Sequence, residues 1–289
     1  MRALLLALSV SAAATAQMPD LSKVEIKATH VGGSVWMLEG SGGNIAATVG
    51  DDGVVIVDDQ FAPLAPKIRA ALAKQSPKPV RFVINTHWHF DHTGGNAVFA
   101  ETAAILAHAN VRKRLLTGGT IIGHDFPPSP PAALPVITFD QGLTLYWNGE
   151  EIRVLHLPPG HTDGDSAVLF TKAKVVHLGD DFVTYGFPVV DRAAGGSVRG
   201  LIAALDEILP QLPPDAKVIP GHGPLSTVAD VKKFRATLAD MVAAVERAQK
   251  SGKKVDASVL DPWTPALGHG FLKAEDFLQL ILQDTPAVR

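Results

Sequence analysis

The chain has 289 residues, 46% of them hydrophobic, with 26 basic against 29 acidic side chains and a formal net charge of −3. That length suits one large domain or two small ones, and the apolar share suffices for a sizeable core. The charge balance offers no basic excess for nucleic acid or an anionic membrane surface, and the absence of cysteine excludes disulfides and thiolate ligands.

Met1-Arg2 makes a short positive start, Ala3 to Val10 an apolar run, and Ala14-Thr15-Ala16 an A-x-A cleavage pattern. The run is too short to span a bilayer. Residues 1–16 therefore read as a secretory signal and 17–289 as one domain, which makes the protein exported, periplasmic or secreted. Strands are expected at Val24 to His30, Val35 to Leu38, Asn44 to Val49 and Val54 to Asp58, separated by Gly-rich and Asp-Gly turns. Pro63 to Lys74 reads as a helix, Val80 to Asn85 as a buried strand, Ala103 to Ala107 as a strand and Ala109 to Leu116 as a helix. Thr117 to Pro135 carries five prolines and three glycines and is expected to be irregular, either an active-site wall or a surface excursion.

Further strands are expected at Val136 to Phe139, Leu143 to Trp147, Ile152 to Leu157, Ser166 to Phe170, Lys174 to Leu178 and Lys217 to Ile219. Helices are expected over Ser197 to Leu209, over Thr227 to Lys250 with a capping box from Thr227 and Asp230, and over Ala274 to Leu282. The order of strands, helix, strand and helix occurs twice, which suggests two packed sheets with helices outside.

One stretch stands apart: Thr86-His87-Trp88-His89-Phe90-Asp91-His92 places three imidazoles and a carboxylate within six residues, just past a buried strand. His87 and His89, two apart on extended backbone, project the same way. Asp91 and His92 then turn past them toward a second point. Imidazole and carboxylate are donors that divalent zinc accepts. Three more ligand-type residues follow strands: Gly160-His161-Thr162, Gly179-Asp180 and Pro220-Gly221-His222-Gly223. Each has a small or turn-forming residue before it, so the side chain leaves the sheet edge.

The set His-x-His-x-Asp-His, Gly-His-Thr, Gly-Asp and Pro-Gly-His-Gly, in this order, resembles the metallo-β-lactamase-fold superfamily of hydrolases, both class B β-lactamases and glyoxalase-II-like enzymes. The resemblance implies an α+β fold, a four-layer αββα sandwich with the metal site between the sheet tips. It implies a first metal on His87, His89 and His161, a second on Asp91, His92 and His222, and Asp180 bridging both or completing the second. It implies two Zn2+, with Fe or Mn as alternatives, and a small-molecule substrate whose acyl bond (lactam, lactone, ester or thioester) is cut by a metal-bridging hydroxide that Asp91 orients. The best-known lactamase subclasses carry Cys where this chain has Asp180, whereas thioesterases and lactonases of this fold carry Asp. The alternative is an iron-dependent oxidoreductase of the same fold, similar to persulfide dioxygenases.

Asp58 reads either as an acceptor behind a ligand imidazole or as a strand-end cap. Trp88 and Phe90 read as packing beneath the metal loop. Trp36, Phe61, Phe126, Phe182, Tyr185 and Phe187 are candidates for walling the cleft, with ordinary core as the alternative. The remaining histidines read as surface or hydrogen-bonded side chains.

Overall fold

The computed structural model describes residues 20–284 apart from 122 and 253, so the signal expected over residues 1–16 lies outside the described residues. Six strands run side by side in chain order: β1 (Lys27–Gly32), β2 (Val35–Glu39), β3 (Ile45–Thr48), β4 (Val54–Val57), β5 (Val80–Ile84) and β6 (Ala104–His108). After them come β7 (Gly119–Ile121) and β8 (His124–Phe126), a separate hairpin, and β9 (Ile137–Phe139), which completes the first sheet beside β6. The second sheet holds β10 (Gly142–Trp147), β11 (Glu150–His156), β12 (Ser166–Phe170), β13 (Val175–His177), β14 (Lys217–Ile219) and β15 (Ser226–Thr227). Pairing is parallel from β4 through β5 and β6 to β9, and again between β13 and β14. Elsewhere in the two sheets it is antiparallel.

Both residue parities of the central strands are apolar because both sheet faces are covered. In β4, Val54 and Ile56 join an outer cluster with Ile68 and Leu72 of helix α1 (Ala65–Ala73). Val55 and Val57 belong instead to the core between the sheets, with Val154, Val168 and Phe170 of the second sheet. The second sheet repeats the division. Ala167 and Leu169 of β12 face an outer helical layer, while Val168 and Phe170 face inward. After two short helices in the loop past β5, α2 (Phe90–Thr93) and α3 (Asn96–Phe99), comes α4 (Ala109–Thr117). The outer layer on the second sheet is built from α5 (Val198–Ile208), α6 (Val228–Lys250) and, past the short α7 (Thr264–Leu267), α8 (Ala274–Asp284). Leu201, Leu205 and Ile208 of α5, and Val231, Leu238, Met241 and Val245 of α6, supply the apolar stripes that their three-and-four spacing implied. Thr227 caps α6 through the expected reciprocal bonds with Asp230. The result is the αββα sandwich. Among the described residues no helix is long and apolar enough to cross a membrane.

Several boundaries moved. β1 begins at Lys27 because Leu21–Lys23 forms a 3-10 turn capped by Asp20. The stretch 117–135 is not irregular throughout. All its prolines lie at 127 and beyond, which leaves the preceding backbone free to pair as β7 and β8, with Gly118 and Gly123 at φ +68° and +76°. The Thr120 hydroxyl ties the two strands together by donating to Asp125. The chain between β6 and β9 thus forms an arm that packs on Trp88, Val111 and Leu115 rather than an open excursion.

The inward-facing core should carry much of the stability. Phe170 is fully buried between the sheets, so Phe170→Ala is expected to cost about 3–5 kcal/mol in denaturant unfolding, with one cooperative transition retained. A loss below about 1 kcal/mol would mean that the two sheets do not share this core.

Candidate metal centre

Parallel strands leave their carboxyl ends at one edge of each sheet, and the loops from those ends converge. The loop after β5 brings His87, His89, Asp91 and His92, the last two on α2. His161 follows β11, Asp180 sits in a 3-10 turn after β13, and His222 follows β14. All seven gather. His89 Nδ1 lies 2.9 Å from His161 Nε2, and the His87 ring centroid is 4.9 and 4.6 Å from those of His89 and His161. His222 Nε2 lies 3.2 Å from His92 Nε2, 3.2 Å from Asp91 Oδ2 and 3.4 Å from Asp180 Oδ2. Potential ligand atoms fall within 4.8 Å of one another in three sets: His87, His89 and His161; Asp91, His92 and His222; and His87, His92 and Asp180 linking them.

Hydrogen bonds behind the rings fix which nitrogen faces the centre. The Val189 carbonyl, 2.7 Å from His161 Nδ1, can only accept, so Nδ1 carries the proton and Nε2 looks inward. The Asp191 carboxylate takes His89 Nε2–H at 3.1 Å, which turns His89 Nδ1 inward. Asp58 Oδ2 accepts from His92 Nδ1 at 2.7 Å and from the Thr86 hydroxyl at 2.8 Å. That hydroxyl has spent its proton, so it accepts from His87 Nδ1 at 2.9 Å. His87 Nε2 is left buried, inward and without a hydrogen-bond partner. In the neutral rings the 2.9 Å approach of His89 to His161 sets two lone pairs against each other, an arrangement that a cation between them makes favourable. This is the pattern in which metal-binding imidazoles are oriented from behind by carboxylates and carbonyls.

The charges follow from the same contacts. Burial pushes the His87 imidazole well below its usual range and lowers that of His89, so both are neutral donors. Burial alone would raise the Asp91 carboxyl, but His92 and His222 beside it hold it down to about 2. Asp180 behaves alike: His222 and His92 outweigh burial and hold it well below the usual carboxylate range. In return Asp180, Asp91 and Asp58 outweigh the burial of His92 and keep it well above its ordinary value. Asp180 and Asp91 likewise hold His222 up to about 9. Two ionised carboxylates in a cluster of imidazoles, with a buried ring nitrogen unpartnered, form a donor set that fits a pair of divalent cations.

Local backbone chemistry permits this crowding. A Cβ on Gly221 would lie 2.0 Å from Asp180 Oδ1 and 2.6 Å from the Gly179 backbone, so only glycine lets the His222 loop pass Asp180. Asn44 clamps that loop from the other sheet, donating to the carbonyls of Pro220 and Gly223 at 2.9 and 2.8 Å. Asp58 sits at φ +63°, a left-handed conformation costing a non-glycine residue about 1–3 kcal/mol. Its carboxylate satisfies the Thr86 amide and hydroxyl together with His92, which overcomes that strain.

Of the residues considered for the cleft wall, Phe182 and Phe187 are core, Phe61 and Trp36 pack on the outer face of the first sheet, and Phe126 stacks on Phe90. Tyr185 alone among them reaches the centre, edge to face with His222 at 5.5 Å between centroids. Trp88 packs beneath the loop as expected and donates to Asp191. His30, His108, His156 and His269 each bond a backbone carbonyl away from the centre, whereas His177 bonds the Asn44 carbonyl beside it. Sequence reasoning missed Asp191 and Asn44, which touch the centre across the fold and carry no local pattern, and Phe271, which packs on Tyr185.

Comparison with known proteins agrees with this geometry. Over 163 residues the chain is 34% identical to a hydroxyacylglutathione hydrolase from Polaromonas sp., covering 55% of this chain and 55% of that protein. Over 159 residues it is 33% identical to a 2,4-dinitroanisole O-demethylase subunit alpha from Nocardioides sp., covering 53% of this chain and 45% of that one. The chain thus spans about half the length of these curated relatives. A metallo-beta-lactamase from Pontibacter korlensis shares the fold at a TM-score of 0.64 and 17% identity, covering 74% of this chain and 99% of that chain. The model of the metallo-beta-lactamase superfamily matches residues 33–222, the span from β2 to the last histidine of the cluster. On this match the chain belongs to the metallo-beta-lactamase superfamily, and its converging histidines and aspartates form a candidate metal site.

Proposed function

We propose that the chain is an exported, dinuclear zinc hydrolase that cleaves an acyl bond in a small-molecule ester, thioester, lactone or lactam. One observation carries this reading: seven ligand-type side chains from four separate loops meet as two linked sets of three to four donors. His87, His89 and His161 would hold one cation, Asp91, His92 and His222 the other, with Asp180 facing both sets. When bound, such a pair supplies Lewis acidity and a water with a pKa near 7, against about 15.7 in bulk. The five imidazoles and two carboxylates are the donors that zinc takes.

The protein's own groups supply the rest. Asp91 and His222 are the most open members of the cluster, their side chains 20% and 17% exposed, so substrate and water arrive at their edge. A carboxylate held near 2 takes protons poorly, so Asp91 acts by orienting a water proton at Oδ2. Burial pushes the Tyr185 hydroxyl well above its ordinary value, so it stays protonated beside the same edge and can donate to a substrate oxygen. Likeness to a hydroxyacylglutathione hydrolase supports an acyl bond as the target. The N-terminal pattern at residues 1–16 supports export.

The test is metal analysis of the purified protein beside a panel of aryl esters, thioesters, lactones and β-lactams. Two zinc per chain with turnover of one class is the expected result; a single iron with oxygen uptake would replace this reading with an oxidoreductase. His89→Ala and His222→Ala should each lose about one metal equivalent and most of the rate, since each vacates a coordinating position. Full metal content and rate in either variant would remove that residue from the site. Asp58→Asn should leave the ligands in place but lower metal affinity about 10–100-fold, as measured by competition with a chelator.

Metal affinity should also depend on pH. Because His222 is held up to about 9 before a cation arrives, loading at its edge below that pH must expel a proton. Affinity for the second equivalent should therefore rise as pH increases from about 6 toward 9, by up to about tenfold per unit for one displaced proton. A flat titration would show that His222 does not coordinate.

A further inference from the structure

The segment after residue 222 lies beyond the span matched by the family model, yet it returns to the rim of the centre. Its turn between α7 and α8 is locked against the loop after Asp180. The Phe187 amide donates to the Leu267 carbonyl at 3.0 Å. Gly186 and Gly270 meet backbone to backbone, and a Cβ on Gly186 would sit 2.7 Å from the Gly270 nitrogen. This contact holds Phe271 edge to face with Tyr185 at 5.1 Å, and Tyr185 in turn meets His222 at 5.5 Å. Phe271 is nonetheless 72% exposed. A large aromatic held rigidly in water at the edge of a reactive centre loses apolar burial that a ligand would restore.

The space beside it has the same character. Leu272, the next residue, lines a cleft of about 330 Å3 with Ile121 of the β7–β8 hairpin, Val189, Val190 and Leu280. Arg192 at its edge is engaged with Asp284, and Thr120, Asp191 and Asp276 are the other polar residues of a lining that is otherwise apolar. The cleft ends against Val189 and Asp191, whose oxygens hold His161 and His89. Tyr185 and Val189 stand on the same loop after Asp180, and Phe271 and Leu272 are neighbours on the facing turn, so the aromatic pair and the cleft lie side by side. Tyr185 thus meets His222 of one donor set, while the cleft backs on the groups that hold His161 and His89 of the other.

We propose that Phe271 and Tyr185, with the cleft beside them, form a specificity subsite for an aryl-bearing acyl group. This deepens the hydrolase reading and rests on it for the word acyl; the apolar contact itself needs no metal.

Two measurements on the full chain separate the two ideas. In the first, phenylacetamide and acetamide, both uncharged, are titrated by NMR into metal-free and zinc-loaded protein. Phenylacetamide should bind about tenfold tighter than acetamide, Phe271→Ala should abolish the difference, and Phe271→Trp should preserve it. In the second, the zinc-loaded protein is given ethyl phenylacetate and ethyl acetate, with acid release followed by titration. Phe271→Ala should lower kcat/KM about five- to tenfold for the phenylacetate, mainly through KM, and leave the acetate and the zinc content unchanged. Equal binding of the two amides by the wild type overturns the subsite. So does a Phe271→Ala variant that keeps the preference, or one that changes only the oligomeric state in sedimentation, which would mark Phe271 as a contact between copies. An intact amide preference in a protein that hydrolyses neither ester supports the apolar subsite and overturns the hydrolase reading alone.

Discussion

The Asp58 carboxylate is the joint on which the centre turns. It closes β4 in a strained left-handed conformation and there receives the Thr86 amide, the Thr86 hydroxyl and the His92 ring. Through Thr86 it also fixes the His87 ring, so one carboxylate orients one imidazole in each half of the cluster. An imidazole free to rotate would present either nitrogen; tied from behind, it presents one. The strain at Asp58 is tolerated because three charge-assisted or buried hydrogen bonds depend on it.

The remaining imidazoles are held by the same principle from other parts of the chain. Asp191 lies between Asp180 and His222 in the chain and orients His89 from the first half of the site. The Val189 carbonyl does this for His161, and Asn44 ties the first sheet to the loop that carries His222. The contacts of Asp191 and Asn44 cross between the sheets, so the centre exists only when the two halves of the sandwich are docked. The inward core of Val55, Val57, Val154, Val168 and Phe170 therefore does more than stabilise the molecule: it sets the distance between the two groups of donors. Crowding Asp180 beside His222 also requires Gly221, whose missing side chain lets the two loops pass.

Two further segments surround the centre. The hairpin after α4 packs on Trp88, directly beneath the histidine loop. The C-terminal helices cover the second sheet and carry Phe271 to Tyr185. The two sheets thus hold the donors, and the hairpin and the C-terminal helices flank them.

Much of this was legible in the residues themselves. Short, continuously apolar runs mark strands covered on both faces, as in Val54–Val57 and Ser166–Phe170, and three-and-four spacing marks α5 and α6. The seven ligand-type residues stood out because they sit in short, chemically unusual motifs at strand ends. Local chemistry could not reveal what lies across the fold. Asp191 follows two valines and looks like any loop aspartate; its role depends on a partner 102 positions away. Phe271 looks like a core residue in sequence and is left in water only because Gly186 and Gly270 pin its turn against the site. The prolines of 117–135 suggested disorder of form, but their order along the chain left room for a hairpin. Sequence alone determined the donor chemistry and the layers, because both follow from short-range pattern and periodicity. Tertiary structure decided which nitrogen faces inward and which aromatic lies beside the centre, because those depend on contacts between residues that only folding brings together.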